Sequence, residues 1–223
     1  ANVSLDTGAA DYSGVGGICA IDGGFWMVLA FYLYVRKHED WDLLAEYAVS
    51  LDRMMNWLLG LDSNNDGLLE IPEAGDWTDL FGRSYHVLYD EVLWYRAAVA
   101  YGRLLEFQKT FDDASAWLRR AQTIRSKILA AFWPSTKPRD PSARLSFADQ
   151  QSAVGDASYL LAEITPFAFN WRCDVLGNIQ AFIGNVLDMD RARTAFKFMW
   201  GVGVNEPLPV ANLYPPVQAG DPD

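Results

Sequence analysis

Histidine and cysteine are almost missing from this chain, with two of each among 223 residues. His38 and His86 stand far apart, and neither has a histidine or cysteine three or four positions away to make a zinc site. No Ser-His-acid or Cys-His arrangement stands out, which disfavours nucleophilic hydrolysis of esters or peptides. Both histidines are therefore expected in surface or supporting polar contacts. Cys19 and Cys173 read as reduced core thiols, with one long-range disulfide as the other option. Alternating strand patterns are essentially absent. The most apolar run, Phe25 to Val35, is too short to span a bilayer, and no leader is visible at the amino end. Positive charge is scarce as well: a net charge of −11 argues against nucleic acid or an anionic membrane as partner and leaves neutral or cationic ligands. A soluble, cytoplasmic protein is expected. The chain does not begin with Met and stops in a Pro/Gly/Asp-rich stretch, 214–223, so a piece of something longer is expected too.

Apolar side chains, in contrast, are plentiful. Hydrophobic residues make up 51% and aromatic residues 14%, with nine tryptophans, enough for one substantial domain. A Gly-rich start, residues 1 to 24 with Asp6, Asp11 and Asp22, feeds a helix beginning near Gly23 or Gly24. Phe25, Trp26, Val28, Leu29, Phe31, Tyr32, Leu33 and Val35 leave that helix almost no polar face, which predicts burial on every side. Leu44, Tyr47, Ala48, Leu51, Met54, Met55 and Leu58 carry the one-sided stripe of a half-exposed second helix. Further helices are predicted over about 85–107, over a segment with Trp117, Ala121, Ile124, Ile128 and Phe132 on one face, over a short piece near 157–163, and over about 174–187 and 191–200. A Pro/Ser/Arg linker, about 134–148, separates the middle pair from the last. Short turns at 38–40, 109–112 and 188–190 alternate with long polar loops at 61–84 and 134–155, which gathers the long loops at one end of a layered helical array.

The chemistry is concentrated in those loops. In Glu70-Ile-Pro-Glu-Ala-Gly-Asp-Trp-Thr-Asp-Leu-Phe-Gly-Arg-Ser84, the residues Pro72, Gly75 and Gly82 forbid a continuous helix, and Glu73, Asp76 and Asp79 lie beside Trp77 and Arg83. An indole stacks on the apolar face of a pyranose while acids handle its hydroxyls and protons. Asp62, Asn64, Asp66 and Gly67, with Glu73 beyond, have the spacing of an EF-hand-type calcium loop, although Pro72 and Gly75 block the exiting helix. An Asp-Gly turn after the second helix is the other reading. Glu206 lies between glycine and proline turns, a rigid loop position that suits a catalytic carboxylate. Arg172 and Asp174 precede a helix, where Asp174 can also serve as its N-cap. Two carboxylates, one protonated and one ionised, are the minimum for glycoside hydrolysis, and Asp79 and Glu206 fit because both sit in long loops at the same inferred end.

Four blocks in order extend these observations into a resemblance. Ala20-Ile-Asp22-Gly-Gly-Phe25-Trp26 resembles the VDSGFWW segment of the neutral and alkaline invertases, and Trp77-Thr-Asp79-Leu-Phe-Gly resembles their MIDRRMG segment. Phe169-Asn-Trp-Arg172-Cys-Asp-Val-Leu-Gly177-Asn178 is similar to MDFRWFALGN. Val204-Asn-Glu206-Pro-Leu-Pro with Tyr214-Pro215 resembles GEMPLKICYP. Where the invertases carry two arginines after the acid, this chain has Leu80-Phe81, with Arg83 further on. Asp76-Trp77 is closer to the related debranching-type amylo-alpha-1,6-glucosidases and mannosylglycerate-hydrolase-like enzymes. The resemblance implies an all-α (α/α)6 toroid of helical hairpins and an inverting hydrolase of an alpha-glucosidic bond, with Asp79 as acid and Glu206 as base. It implies sugar contacts from Asp22, Phe25, Trp26, Asp76, Trp77, Arg83, Arg172 and Asp174. The expected partner is a small carbohydrate, no cofactor is required, and a structural calcium at Asp62, Asn64, Asp66 and Glu73 is allowed. A whole toroid has about twelve helices; roughly six or seven are predicted here, so a second copy or further chain would complete the ring. The competing expectation is a non-hydrolytic carbohydrate protein, either an isomerase or epimerase or a degenerate sugar-binding module. Two poorly placed histidines count against proton shuttling of the epimerase kind.

Overall fold

The computed structural model of the protein describes residues 2–3, 10–11, 20–78, 81–136, 153–207 and 210–221. Its helices are α1 (Asp22–His38), α2 (Trp41–Leu59), α3 (Leu88–Phe107), α4 (Phe111–Phe132), α5 (Val175–Ile183) and α6 (Met189–Gly201). Local signals account for several of the ends. Asp40, Asp174 and Asp188 each accept from the backbone N–H three residues on, capping α2, α5 and α6. Among the described residues, no helix is long and apolar enough to cross a membrane.

The enclosed helix is α3, not α1. Leu88, Val92, Leu93, Trp94, Ala97, Ala98, Leu104 and Leu105 are all buried, and α1, α4 and α5 pack around them. Small residues on α3 permit the approach of its neighbours: a Cβ at Gly102 would meet Leu118 of α4 at 2.9 Å. On α1, Phe25, Val28, Leu29 and Val35 face the core, but Met27, Leu33 and Tyr34 are exposed. The expectation that α1 is buried on every side is thus corrected. Its apolar circumference finds cover on one side only among the described residues.

A second correction concerns strands, which the sequence reading left out. A short antiparallel pair, β1 (Asn2–Val3) and β2 (Ala10–Asp11), stands by itself, and a four-stranded antiparallel sheet runs β3 (His86–Val87), β4 (Leu161–Ile164), β5 (Phe169–Asp174), β6 (Leu213–Tyr214). The predicted helical piece near 157–163 is not helical and runs into β4 from Leu161, and the predicted helix start at 85 gives way to the Tyr85 bridge and β3, with α3 beginning at Leu88. These strands are two to six residues long. In β5 burial alternates over Asn170, Trp171 and Arg172, but the buried residues there are polar and the exposed one aromatic, and Cys173 and Asp174 follow buried in succession, so the sequence shows no apolar-in, polar-out alternation. The sheet fastens three distant parts of the chain: His86 opposes Ile164, Cys173 opposes both Leu161 and Tyr214, and Asp174 opposes Leu213. Cys173 is a buried thiol without a disulfide, and burial pushes its pKa up. Cys19 and most of the 134–148 linker lie outside the described residues.

Candidate active site

Residues 71–85 form a loop closed at its neck by paired backbone hydrogen bonds between Ile71 and Tyr85, at 2.8 and 2.7 Å. Within it, Ala74 N–H donates to the Arg83 carbonyl, and the Gly75 carbonyl accepts from Ile21 N–H at 2.9 Å, tying the loop to the start of α1. A Cβ at Gly75 would collide with Pro72 at 2.8 Å, so the turn needs glycine there. Ala74 and Tyr85 have positive φ, 55° and 64°. Each such conformation costs an L-residue roughly 1 kcal/mol, and the loop holds two.

What this loop presents to the interior is charge. Arg83 is 3% exposed and lies between two buried carboxylates, paired with Asp76 through Nη2 and with Asp174 through Nη1 at 2.8 Å. Asp174 also accepts from Gly177 N–H at 2.8 Å, so the N-cap reading and the site reading of this residue hold together. Burial raises the Asp174 pKa, with the Arg83 charge and the cap bond acting against it. The Asp76 carboxylate further accepts from Thr78 N–H at 2.9 Å.

Beside this triad lies an aromatic group. Tyr89 and Asp90 occupy the first turn of α3 and Asp22 the first turn of α1. Trp26 Nε1 donates to the Tyr89 hydroxyl at 2.9 Å, and that hydroxyl reaches Asp22 at 3.4 Å. The Trp77 ring is 6.1 Å from that of Tyr89, and the Arg96 guanidinium lies 5.5 Å from the Trp26 ring centre. Both oxygens of Asp90 and Trp77 Nε1 are among the buried polar atoms left without hydrogen-bond partners among the described residues, as is Arg83 Nε. Burial drives the Asp90 pKa well above the usual carboxylate range, helped by Asp76, Asp22 and Glu91 and opposed by Arg83.

The structure therefore brings Asp22, Trp26, Asp76, Trp77, Arg83 and Asp174 into one neighbourhood and adds Tyr89 and Asp90. Phe25 is fully buried and packs on Trp94, centroids 6.4 Å apart, so it belongs to the core. Arg172 pairs with Asp221 at 2.6 Å. Glu206 is exposed beyond the end of α6, and the segment after it returns to the site: Asn212 C=O accepts from Val175 N–H at 2.9 Å, and Leu213 opposes Asp174. Asp79 lies outside the described residues. The sequence signal for Tyr89 and Asp90 was a run of three polar residues, 89–91, opening an otherwise apolar helix.

The proposed calcium loop is arranged differently from the EF-hand pattern. Gly67 N–H donates to Asp62, Asp66 N–H to Asn64 and Leu68 N–H to Asp66. Glu70 closes the loop by accepting from Ser63 N–H at 2.6 Å and Ser63 Oγ at 2.7 Å, while Glu73 is exposed on the following turn. Asp66, Glu70 and His86 each offer a ligand atom within 4.8 Å of the others. His86 is fully buried, with Nε2 3.3 Å from Asp66 and Nδ1 3.5 Å from Glu91, so of the two placements expected of it the supporting polar contact is the one found and the surface one is not. Burial alone would lower the imidazole pKa, but its contacts with Asp66 and Glu91 raise it to about 10.

No family model matches the chain, and no curated protein matches it.

Proposed function

We propose that the protein is a glycoside hydrolase acting on an alpha-glucosidic bond with inversion, using Asp79 as general acid and Glu206 as general base. The supporting observation is the convergence of Asp22, Trp26, Asp76 and Trp77 with Tyr89 and Asp90 at the loop that carries position 79. Indoles and a phenol offer stacking faces for a pyranose, and the carboxylates offer acceptors for its hydroxyls. The Asp76–Arg83–Asp174 triad acts as the frame: all three side chains are buried, so it fixes the loop on either side of position 79 while the aromatic residues meet the sugar. In the reaction, Asp79 gives its proton to the leaving oxygen as the bond to the anomeric carbon breaks. Glu206 takes a proton from the water that attacks the opposite face, which requires carboxyls about 6.5–9.5 Å apart.

The helices are proposed as part of an (α/α)6 ring. The exposed Met27, Leu33 and Tyr34 on α1 support this, because an inner helix of such a ring needs cover on that side.

The test is a panel of sucrose, trehalose, isomaltose and glucosylglycerate assayed for released glucose. Asp79→Asn and Glu206→Gln should each lower kcat about a hundredfold or more with an unchanged circular dichroism spectrum. Activity retained in both variants removes those residues from the roles assigned.

A further inference from the structure

Trp26, one of the indoles proposed to meet the sugar, has a cation at its ring. The Arg96 guanidinium lies 5.5 Å from the ring centre, and its position is built by two helices. It projects from α3, its Nη1 donates to Gln180 Oε1 on α5, and its stem packs so closely at the end of α5 that a Cβ at Gly184 would meet Arg96 Cδ at 2.8 Å. Helical side chains lean toward the N-terminal turns, so Arg96 reaches back along α3 toward Tyr89. The two deeper guanidiniums, Arg83 and Arg172, are each paired with carboxylates, whereas Arg96 has none within ion-pair distance among the described residues. Burial pushes its pKa down, and the group that acts against this is the Tyr89 hydroxyl. Contacts run from Arg96 to Trp26, from Trp26 to Tyr89 and from Tyr89 to Asp22, so two aromatic side chains separate this cation from the aspartate.

A guanidinium partly out of water and without a counter-charge is costly to keep, and a carboxylate is the partner its planar fork fits. Gln180, whose carbonyl oxygen is given to Arg96, leaves its amide nitrogen beside the guanidinium as a further donor. One cation and one neutral amide match a singly charged group, while a phosphate dianion would bring a second charge with nothing to meet it. The net charge of −11 speaks for neutral or cationic ligands overall, but solvent ions screen distant charges and leave the field at Arg96 to its near neighbours. We propose that Arg96 and Gln180 form a carboxylate subsite beside the stacking residues, so that the glycoside this protein takes carries an acid group on its ring or on its aglycone. Trp26 backs the guanidinium with its ring and holds Tyr89 with its Nε1, which joins the subsite to the sugar. Arg96 selects the ligand and moves no proton.

This rests on the sugar-site reading above, and matched thioglycosides, which resist acid-assisted cleavage, separate the two. In one pair, methyl 1-thio-alpha-D-glucuronide against methyl 1-thio-alpha-D-glucoside, the carboxylate is on the ring. In the other, carboxymethyl 1-thio-alpha-D-glucoside against its 2-hydroxyethyl counterpart, it is on the aglycone. All four are titrated calorimetrically into the wild-type protein at neutral pH, in low and in high salt, with acetate as the control. The acid of one pair is expected to bind about tenfold tighter than its neutral mate, with a preference that shrinks in high salt, and the pair that shows it locates the carboxylate. Arg96→Gln should bring that acid within about threefold of its mate, a ratio that a general loss of binding would not move. Neutral glycosides that bind as tightly as the acids in both pairs overturn the subsite and leave the sugar reading standing, without relying on the variant's folding. An acid preference that survives Arg96→Gln overturns the subsite as well. Acids that bind no tighter than acetate, with neither neutral glycoside bound, uphold the anion subsite and sink the sugar reading. Binding of none of the four overturns both.

Discussion

Asp90 and Glu91 are neighbours on the first turn of α3, both fully buried, yet they face opposite clusters. On one side Glu91 accepts from Leu69 N–H at 2.7 Å and lies against His86, whose other nitrogen meets Asp66. That side carries its own cation and a backbone donor, although the second Glu91 oxygen has no hydrogen-bond partner among the described residues. On the other side Asp90 has no hydrogen-bond partner among the described residues, and the single Arg83 is already committed to Asp76 and Asp174. The difference is one of degree and teaches how to divide polar clusters: the one whose acid keeps a donor and a cation, the more satisfied, holds the fold, and the less satisfied one beside aromatic faces is where a ligand has something to gain.

The largest effect that can test this division is on the frame of the unsatisfied side. Arg83→Met should destabilise the protein by about 3–5 kcal/mol in urea titrations, because two buried carboxylates lose their counter-charge. Arg103, whose pair with Glu106 is solvent-exposed, is the control, and Arg103→Met should cost within about 1 kcal/mol. Equal costs would mean that burial of the Arg83 pairs counts for nothing.

An intermediate effect comes from the satisfied side. The folded pKa of His86, about 10, lies above its ordinary 6.5, so its contribution is complete below pH 6.5 and is lost as pH rises through about 10. Glu91, which burial lifts to about 7 against the lowering influence of His86, works in the same direction: relative to the unfolded chain, stability falls as pH rises from about 4.5 through 7. The melting temperature should drop by about 5 °C or more between pH 6.5 and 10, and His86→Gln should flatten much of that slope. A melting temperature that climbs over this interval in the wild-type protein contradicts the buried imidazolium.

The smallest effect concerns the 62–70 loop. We propose it as a calcium site closed by Glu70 in place of Glu73. Millimolar calcium should then raise the melting temperature by about 2 °C, and Glu70→Gln should erase the rise while Glu73→Gln leaves it. No rise in the wild-type protein means the loop is held by its hydrogen bonds alone.

Much of the helical framework was legible in the sequence because α2 and α4 carry one-sided apolar stripes and α5 and α6 begin at aspartates that cap them. Which helix is central was not legible. Apolar content pointed to α1, whereas packing depends on who surrounds whom, and the small residues of α3 admit neighbours on all sides. The sheet was hidden because its strands are short and bury Arg172 and Asp174, charged residues whose partners, Asp221 and Arg83, lie 49 and 91 positions away. Of the candidate site, Trp77, Asp76 and Arg83 could be found from one loop. Tyr89 and Asp90 were marked only by the polar run 89–91 at the head of a helix that otherwise reads as core, and nothing local shows that a carboxyl there goes without a hydrogen bond.

The central claim, that this acid and aromatic gathering performs inverting hydrolysis of an alpha-glucoside, is tested most directly by following the anomeric protons of newly released glucose by NMR within the first minutes of turnover. Inversion predicts that beta-glucose appears first and then mutarotates. Alpha-glucose appearing first, or no glucose from any substrate of the panel, would contradict it.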